Sequence, residues 1–154
     1  MATSNIEQFN FVTGQVLATL YEHFPKPIEL NAEVIGVSIP EWKQCERSGQ
    51  MAATSVHPAE EVFFYHTVHW LAEAGYLAYK NTFFNYQFYG ARLTPKGLEV
   101  LKAVPESLNQ GQSFGESLMQ ASKDGSKELL KGVVSEALGI GARMLSTHFG
   151  LPGG

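Results

Sequence analysis

Gly75 separates two incompatible periodicities, and that junction limits the possible folds more than any other feature of the chain. On its N-terminal side, Pro58 to Ala74 contains no glycine and no further proline. Phe64, Val68 and Leu71 recur there at spacings of four and three, the pattern of a helix with one buried face. On its C-terminal side, Tyr76–Phe84 and Gln87–Leu93 carry strand-forming aromatics on either side of Asn85-Tyr86, which predicts a β-hairpin. Glycine takes a positive φ without steric cost, so Gly75 ends the helix and turns the chain into the hairpin. Thr94 then caps a further helix with Pro95 at its first position, running through Leu98, Leu101 and Val104.

The flanking segments are mainly helical. Asn5–Phe24 places Ile6, Phe9, Val12, Val16, Leu17, Leu20 and Phe24 on one stripe, with Ser4 or Asn5 as cap and Pro25-Lys26-Pro27 as the stop. Pro27–Leu30 reads as a short extended piece, followed by a short helix over Ala32–Ile35 capped by Asn31 and ended by Gly36. Residues 38–58 contain Pro40, Gly49 and Pro58 and read as an irregular insertion with one helical turn near Trp42; long connections of this kind are usually functional or mobile. Residues 105–124 read as a Gly, Ser and Gln-rich linker with a loose turn at Leu118-Met119. A last helix occupies 125–148 and a frayed tail follows. The expected class is α+β, mainly helical.

The segments that carry most of this information are His69-Trp70-Leu71-Ala72-Glu73-Ala74-Gly75-Tyr76-Leu77 and Leu93-Thr94-Pro95-Lys96-Gly97-Leu98. Together with the order helix, short strand, helix, helix, hairpin, helix, they make residues 5–104 resemble the winged helix-turn-helix superfamily, in the manner of its MarR-like and PadR-like branches. The resemblance implies three helices plus a β-hairpin wing, with an extra C-terminal helix. The 38–58 insertion departs from the short turn usual between the second and third helices of that family.

Winged helices serve both as DNA readers and as plain protein-binding modules. In DNA-binding members the third helix enters the major groove and offers arginine or lysine. Here the corresponding helix holds Glu60, Glu61 and Glu73 and no lysine or arginine, and residues 5–104 carry seven basic and ten acidic side chains. The whole chain is at −4, a poor balance for attraction to phosphate backbones. The expected function is therefore a non-enzymatic, self-associating interaction or regulatory module. Its interaction face would be Tyr65, His66, His69, Trp70 and Glu73. Aromatic residues on an outer face call for a cover, supplied either by the insertion folding back or by a partner or second subunit. The alternative is a DNA-binding transcriptional regulator using Lys80, Asn81 and Arg92 of the wing.

Other chemistry finds less support. His66, His69 and Glu73 lie on neighbouring turns but lack a third strong ligand unless Cys45 is recruited, so no metal and no cofactor are expected. Gly111-Gln112-Ser113-Phe114-Gly115 matches the G-x-S-x-G string of serine hydrolases, but no strand precedes it to hold the serine on a strained turn. In the last helix Leu130, Val134, Ala137, Leu138, Gly141 and Leu145 form an apolar side. The small pair Ala137 and Gly141 would admit another helix, and terminal helices in the resembled branches often mediate dimers. A single cysteine, no basic-apolar leader and no long apolar run fit a cytoplasmic protein with no membrane partner.

Overall fold

A computed structural model describes residues 4–83, 85–104 and 111–148, with side chains described up to residue 144. The first helix, α1 (Asn5–His23), begins at a reciprocal cap. Ser4 Oγ accepts the Glu7 amide at 3.2 Å, and Glu7 Oε2 accepts the Ser4 amide at 3.1 Å. Val12, Val16, Leu17 and Leu20 of the expected stripe are buried, whereas Ile6 is 70 % exposed and Phe24 also lies outside the core. Both stand at the ends of the helix, beyond the neighbours that cover its middle.

β1 (Ile28–Leu30) follows and pairs antiparallel with β6 (Phe88–Leu93). Asn31 caps a single 3-10 turn, Ala32–Ile35, which ends on Gly36 at a φ of +81°. The insertion differs from expectation. Instead of a helical turn near Trp42, the chain forms a two-stranded hairpin of β2 (Trp42–Gln44) and β3 (Met51–Ala53), in the register Trp42↔Ala53, Gln44↔Met51. Gly49, at a φ of +72°, lets the connection fold back, so that its amide reaches the Cys45 carbonyl at 2.7 Å. Pairing satisfies the backbone of this polar stretch, something its side-chain pattern does not announce.

α2 (Ala59–Glu73) buries Phe64, Val68 and Leu71 completely, as its periodicity predicts. Gly75 reverses the chain at a φ of +88°. The Lys96 ammonium then donates to the Ala74 carbonyl at 2.8 Å and rests over the Tyr76 ring at 4.4 Å. A cation at the carboxyl end of α2 complements the helix dipole there. The expected hairpin forms, but its outgoing arm is broken into β4 (Leu77–Ala78) and β5 (Asn81–Thr82), both paired with β6. The break lies opposite Gly90, whose φ of +70° interrupts regular pairing. The sheet order is β1-β6-β4, with β5 also on β6.

α3 (Pro95–Lys102) starts at Thr94, whose hydroxyl accepts the Gly97 amide at 3.0 Å and donates to the Gly75 carbonyl. One threonine thus ties the helix start to the turn before the hairpin. The expected linker is corrected in part. Residues 105–110 lie outside the described residues, but Phe114–Asp124 forms a helix, α4, capped by Ser113. Phe114, Leu118 and Ala121 are buried at helical spacing, a stripe obscured in the sequence by its Gly, Ser and Gln neighbours. α5 (Lys127–His148) packs with α4 against α1.

A single apolar core joins α1, α2, the sheet and the three C-terminal helices. This changes the reading of the last helix as a self-association arm. Leu130, Val134 and Ala137 are buried inside the chain, and Leu138 is partly buried against the same core. Gly141 receives the Tyr76 ring: a Cβ there would stand 2.1 Å from the Tyr76 hydroxyl oxygen. The small residue makes room for the chain's own tyrosine. The side chain of Leu145 lies outside the described set.

Tyr76 also predicts a pH response. Burial pushes its phenol above the usual tyrosine value, and its hydroxyl donates to the Leu138 carbonyl at 3.4 Å. The folded protein therefore holds this proton more tightly than the unfolded chain. The associated stability is complete below pH ~10 and is lost as pH rises through the higher folded value. Between pH 7 and pH 11 the urea midpoint is expected to fall less for Tyr76→Phe than for the parent; an equal fall in both would contradict this.

Candidate interaction surface

The outer side of α2 brings the sequence-predicted face together only in part. His66, Trp70 and Glu73 are exposed, at spacings of four and three on neighbouring helical turns. Trp70 is 48 % exposed and meets the edge of Phe9 from α1 at 5.2 Å between ring centroids. His69 is turned toward Glu73, with Nδ1 3.3 Å from Oε1. Tyr65 belongs to the sheet side: its ring stacks on Phe88 at 5.3 Å and meets the edge of Tyr86 at 5.2 Å. His66 lies against Tyr65 at 5.4 Å. Tyr79 contacts Phe88 at 4.8 Å. Burial, followed by the neighbouring Tyr65 and Glu73, pushes the Tyr79 phenol up.

Within the chain, the cover does not come from the insertion. The β2–β3 hairpin packs chiefly on itself and does not close over Trp70; α1 and the β5–β6 strands supply the contacts to Trp70 and Tyr65. What remains open is a strip of one indole, one imidazole and one carboxylate. Glu60, at the start of α2, is exposed on a different side, beside Gln8 and Phe11 of α1 and Lys127 and Lys131 of α5.

The wing residues of the alternative reading are exposed as a set. Lys80, Asn81 and Arg92 all face solvent. The pairs Ala78↔Arg92 and Asn81↔Tyr89 place Lys80 across from Gly90, two residues from Arg92. The Lys80 methylenes lie over the bare Gly90 backbone, where a Cβ would meet Lys80 Cγ at 3.0 Å.

One polar centre escaped the sequence reading. Glu61 is fully buried, and its Oε2 accepts a hydrogen bond from His57 Nδ1 at 2.8 Å, while Oε1 has no partner among the described residues. The His57 ring touches Trp42 at 5.8 Å and Tyr86 at 4.7 Å. A signal for it exists, since Glu61, Phe64, Val68 and Leu71 follow one another at spacings of three, four and three on the buried stripe. A buried carboxylate needs a donor, and His57 supplies it from one turn earlier. The pair joins the base of the insertion to α2 and to the turn of the β5–β6 hairpin.

No family model, curated protein or solved structure matches this chain. The surface is left to its own chemistry. Ser113 Oγ accepts the Glu116 amide at 3.2 Å and is buried as a helix cap. Among the described residues no three His, Cys, Asp or Glu side chains are grouped as metal ligands. Cys45 is exposed in the β2–β3 turn, where hydrogen bonds from the Ser48 hydroxyl and then from the Ser48 and Arg47 backbone lower its thiol below the usual value. No helix among the described residues is long and apolar enough to cross a membrane.

Proposed function

We propose that this chain is a winged-helix interaction or regulatory module without catalytic activity, whose α2 face meets a protein partner. The fold part of the reading is supported by the chain order α1, β1, the 3-10 turn, α2 and the hairpin, with β6 lying between β1 and β4. In these terms β4, β5 and β6 are the wing, and α2 is the helix that a DNA reader would place in the groove.

The observation that carries the functional part is the composition of that helix. Its open side presents Trp70, His66 and Glu73, and α2 has no lysine or arginine. Carboxylates repel phosphate, whereas an exposed tryptophan beside polar groups is the residue most often found at the centre of protein interfaces. Leu130, Val134 and Ala137 of α5 are taken up by the chain's own core, which leaves the α2 face as the surface offered here for association. Duplex DNA is expected to bind the purified protein with no sub-micromolar, salt-sensitive affinity; a tight association that falls steeply with salt would overturn the proposal.

The second reading, a transcriptional regulator, is favoured by the shared exposure of Lys80, Asn81 and Arg92 on the wing. It requires that Lys80→Ala combined with Arg92→Ala abolish operator binding. An unimpaired double variant ends that reading.

A further inference from the structure

The 38–58 insertion finds no role in the α2 face, yet it borders a cleft with a consistent chemistry. In the β2–β3 register, Trp42 and Met51 lie on one face of the hairpin. That face, with Phe83 and Asn85, borders an open cleft of about 630 Å3 lined by Trp42, Gln50, Met51, Phe83 and Asn85. We propose that this cleft binds a small, uncharged aromatic molecule.

Size is the first argument, because the volume falls within the roughly 300–1,000 Å3 of small-molecule sites. Polarity is the second. Two aromatic rings and a polarisable thioether form the walls, and none of the described lining residues is ionisable. A charged ligand would lose water there without gaining a counter-charge, whereas a flat apolar ring gains contact with rings and sulfur. Gln50 and Asn85 supply the polar handles. The Gln50 amide makes no side-chain hydrogen bond among the described residues, and the Asn85 amide uses one donor on Tyr89 Oη at 3.0 Å and its oxygen on the Gln87 amide.

Exposure and support complete the case. Met51 is 58 % and Phe83 55 % exposed, so these apolar walls stand open to water. Trp42 is held from behind by His57, which the buried Glu61 carboxylate orients and Tyr86 flanks. A wall fixed in this way does not have to be ordered when ligand arrives. The proposal is independent of what α2 meets.

The test is a titration of the full chain with 2-naphthol at pH 7, followed by the NMR signals of the Trp42 indole N–H and the Met51 methyl. Trp70, on the other surface, serves as the internal control. Saturable shifts at Trp42 and Met51 but not at Trp70, with a Kd below about 1 mM, are expected. Naphthalene-2-sulfonate should bind at least ~10-fold more weakly, and Met51→Ala and Phe83→Ala should each weaken 2-naphthol by about the same factor. Circular dichroism is expected to show both variants folded, since the two side chains are largely solvent-exposed. Absence of a saturable shift, equal binding of the sulfonate, or unchanged affinity in both variants would each overturn the proposal. A cleft that accepts only a side chain from a protein partner gives the first of these results.

Discussion

Gly97→Ala is expected to destabilise the protein by about 3 kcal/mol, at the upper end of what an overpacked site usually costs. In an ordinary helix the same change is favourable, because alanine surpasses glycine by about 1 kcal/mol in helix propensity. The sign reverses here because a Cβ at position 97 would lie 2.0 Å from the Tyr76 carbonyl oxygen and 2.9 Å from its carbonyl carbon. Both are backbone atoms, and the same oxygen accepts the Thr94 amide at 3.2 Å, so no rotamer change relieves the clash. α3 would have to lift away, pulling on the Thr94 cap and on the Lys96 contact with Ala74. Urea unfolding checks this through a lower midpoint at unchanged m-value. An alanine variant as stable as the parent would show that α3 does not sit this close to the hairpin's first residue.

The second large effect is at Phe64. Its ring is fully buried and lies 6.3 Å from that of Phe88, at the seam between α2 and β6. Phe64→Ala removes most of that volume from a closed core and is expected to cost about 3–5 kcal/mol. Phe64→Leu leaves more of the space filled and should cost markedly less. The two variants separate a loss of packing from a general intolerance of change, again by the denaturant midpoint. Similar losses in both, or a small loss in the alanine variant, would contradict the placement of Phe64 at this seam. Because Tyr65 stacks on the same Phe88, the damage should extend to the α2 face, visible as altered tyrosine signals even where the variant remains folded.

Much of this architecture was legible in short stretches of chain. The end of α2 at Gly75, the start of α3 at Thr94-Pro95 and the stripe Phe64, Val68, Leu71 are each governed by backbone geometry or spacing within a few residues. The hairpin was legible as an element, though not its interruption opposite Gly90. The β2–β3 hairpin is not legible in the sequence, because strands of three residues carry too few positions to show alternation. Nor is α4, whose buried stripe of three residues lies among glycine, serine and glutamine. Spacing places Glu61 on the buried side of α2, but a carboxylate there makes sense only once His57 is seen beside it.

The residue types along α2, with carboxylates, rings and no cations, are a property of the sequence, and so are the caps and glycine turns that punctuate the chain. The direction in which each apolar stripe turns is not. α5 has a face that must be covered, and its periodicity is the same whether the cover is a second copy or the rest of the same chain. Gly141 against Tyr76 and Leu130 beside Gly14 decide for the latter. Only three-dimensional packing could make that choice, because burial of apolar surface has no direction and rewards whichever neighbour fits most closely.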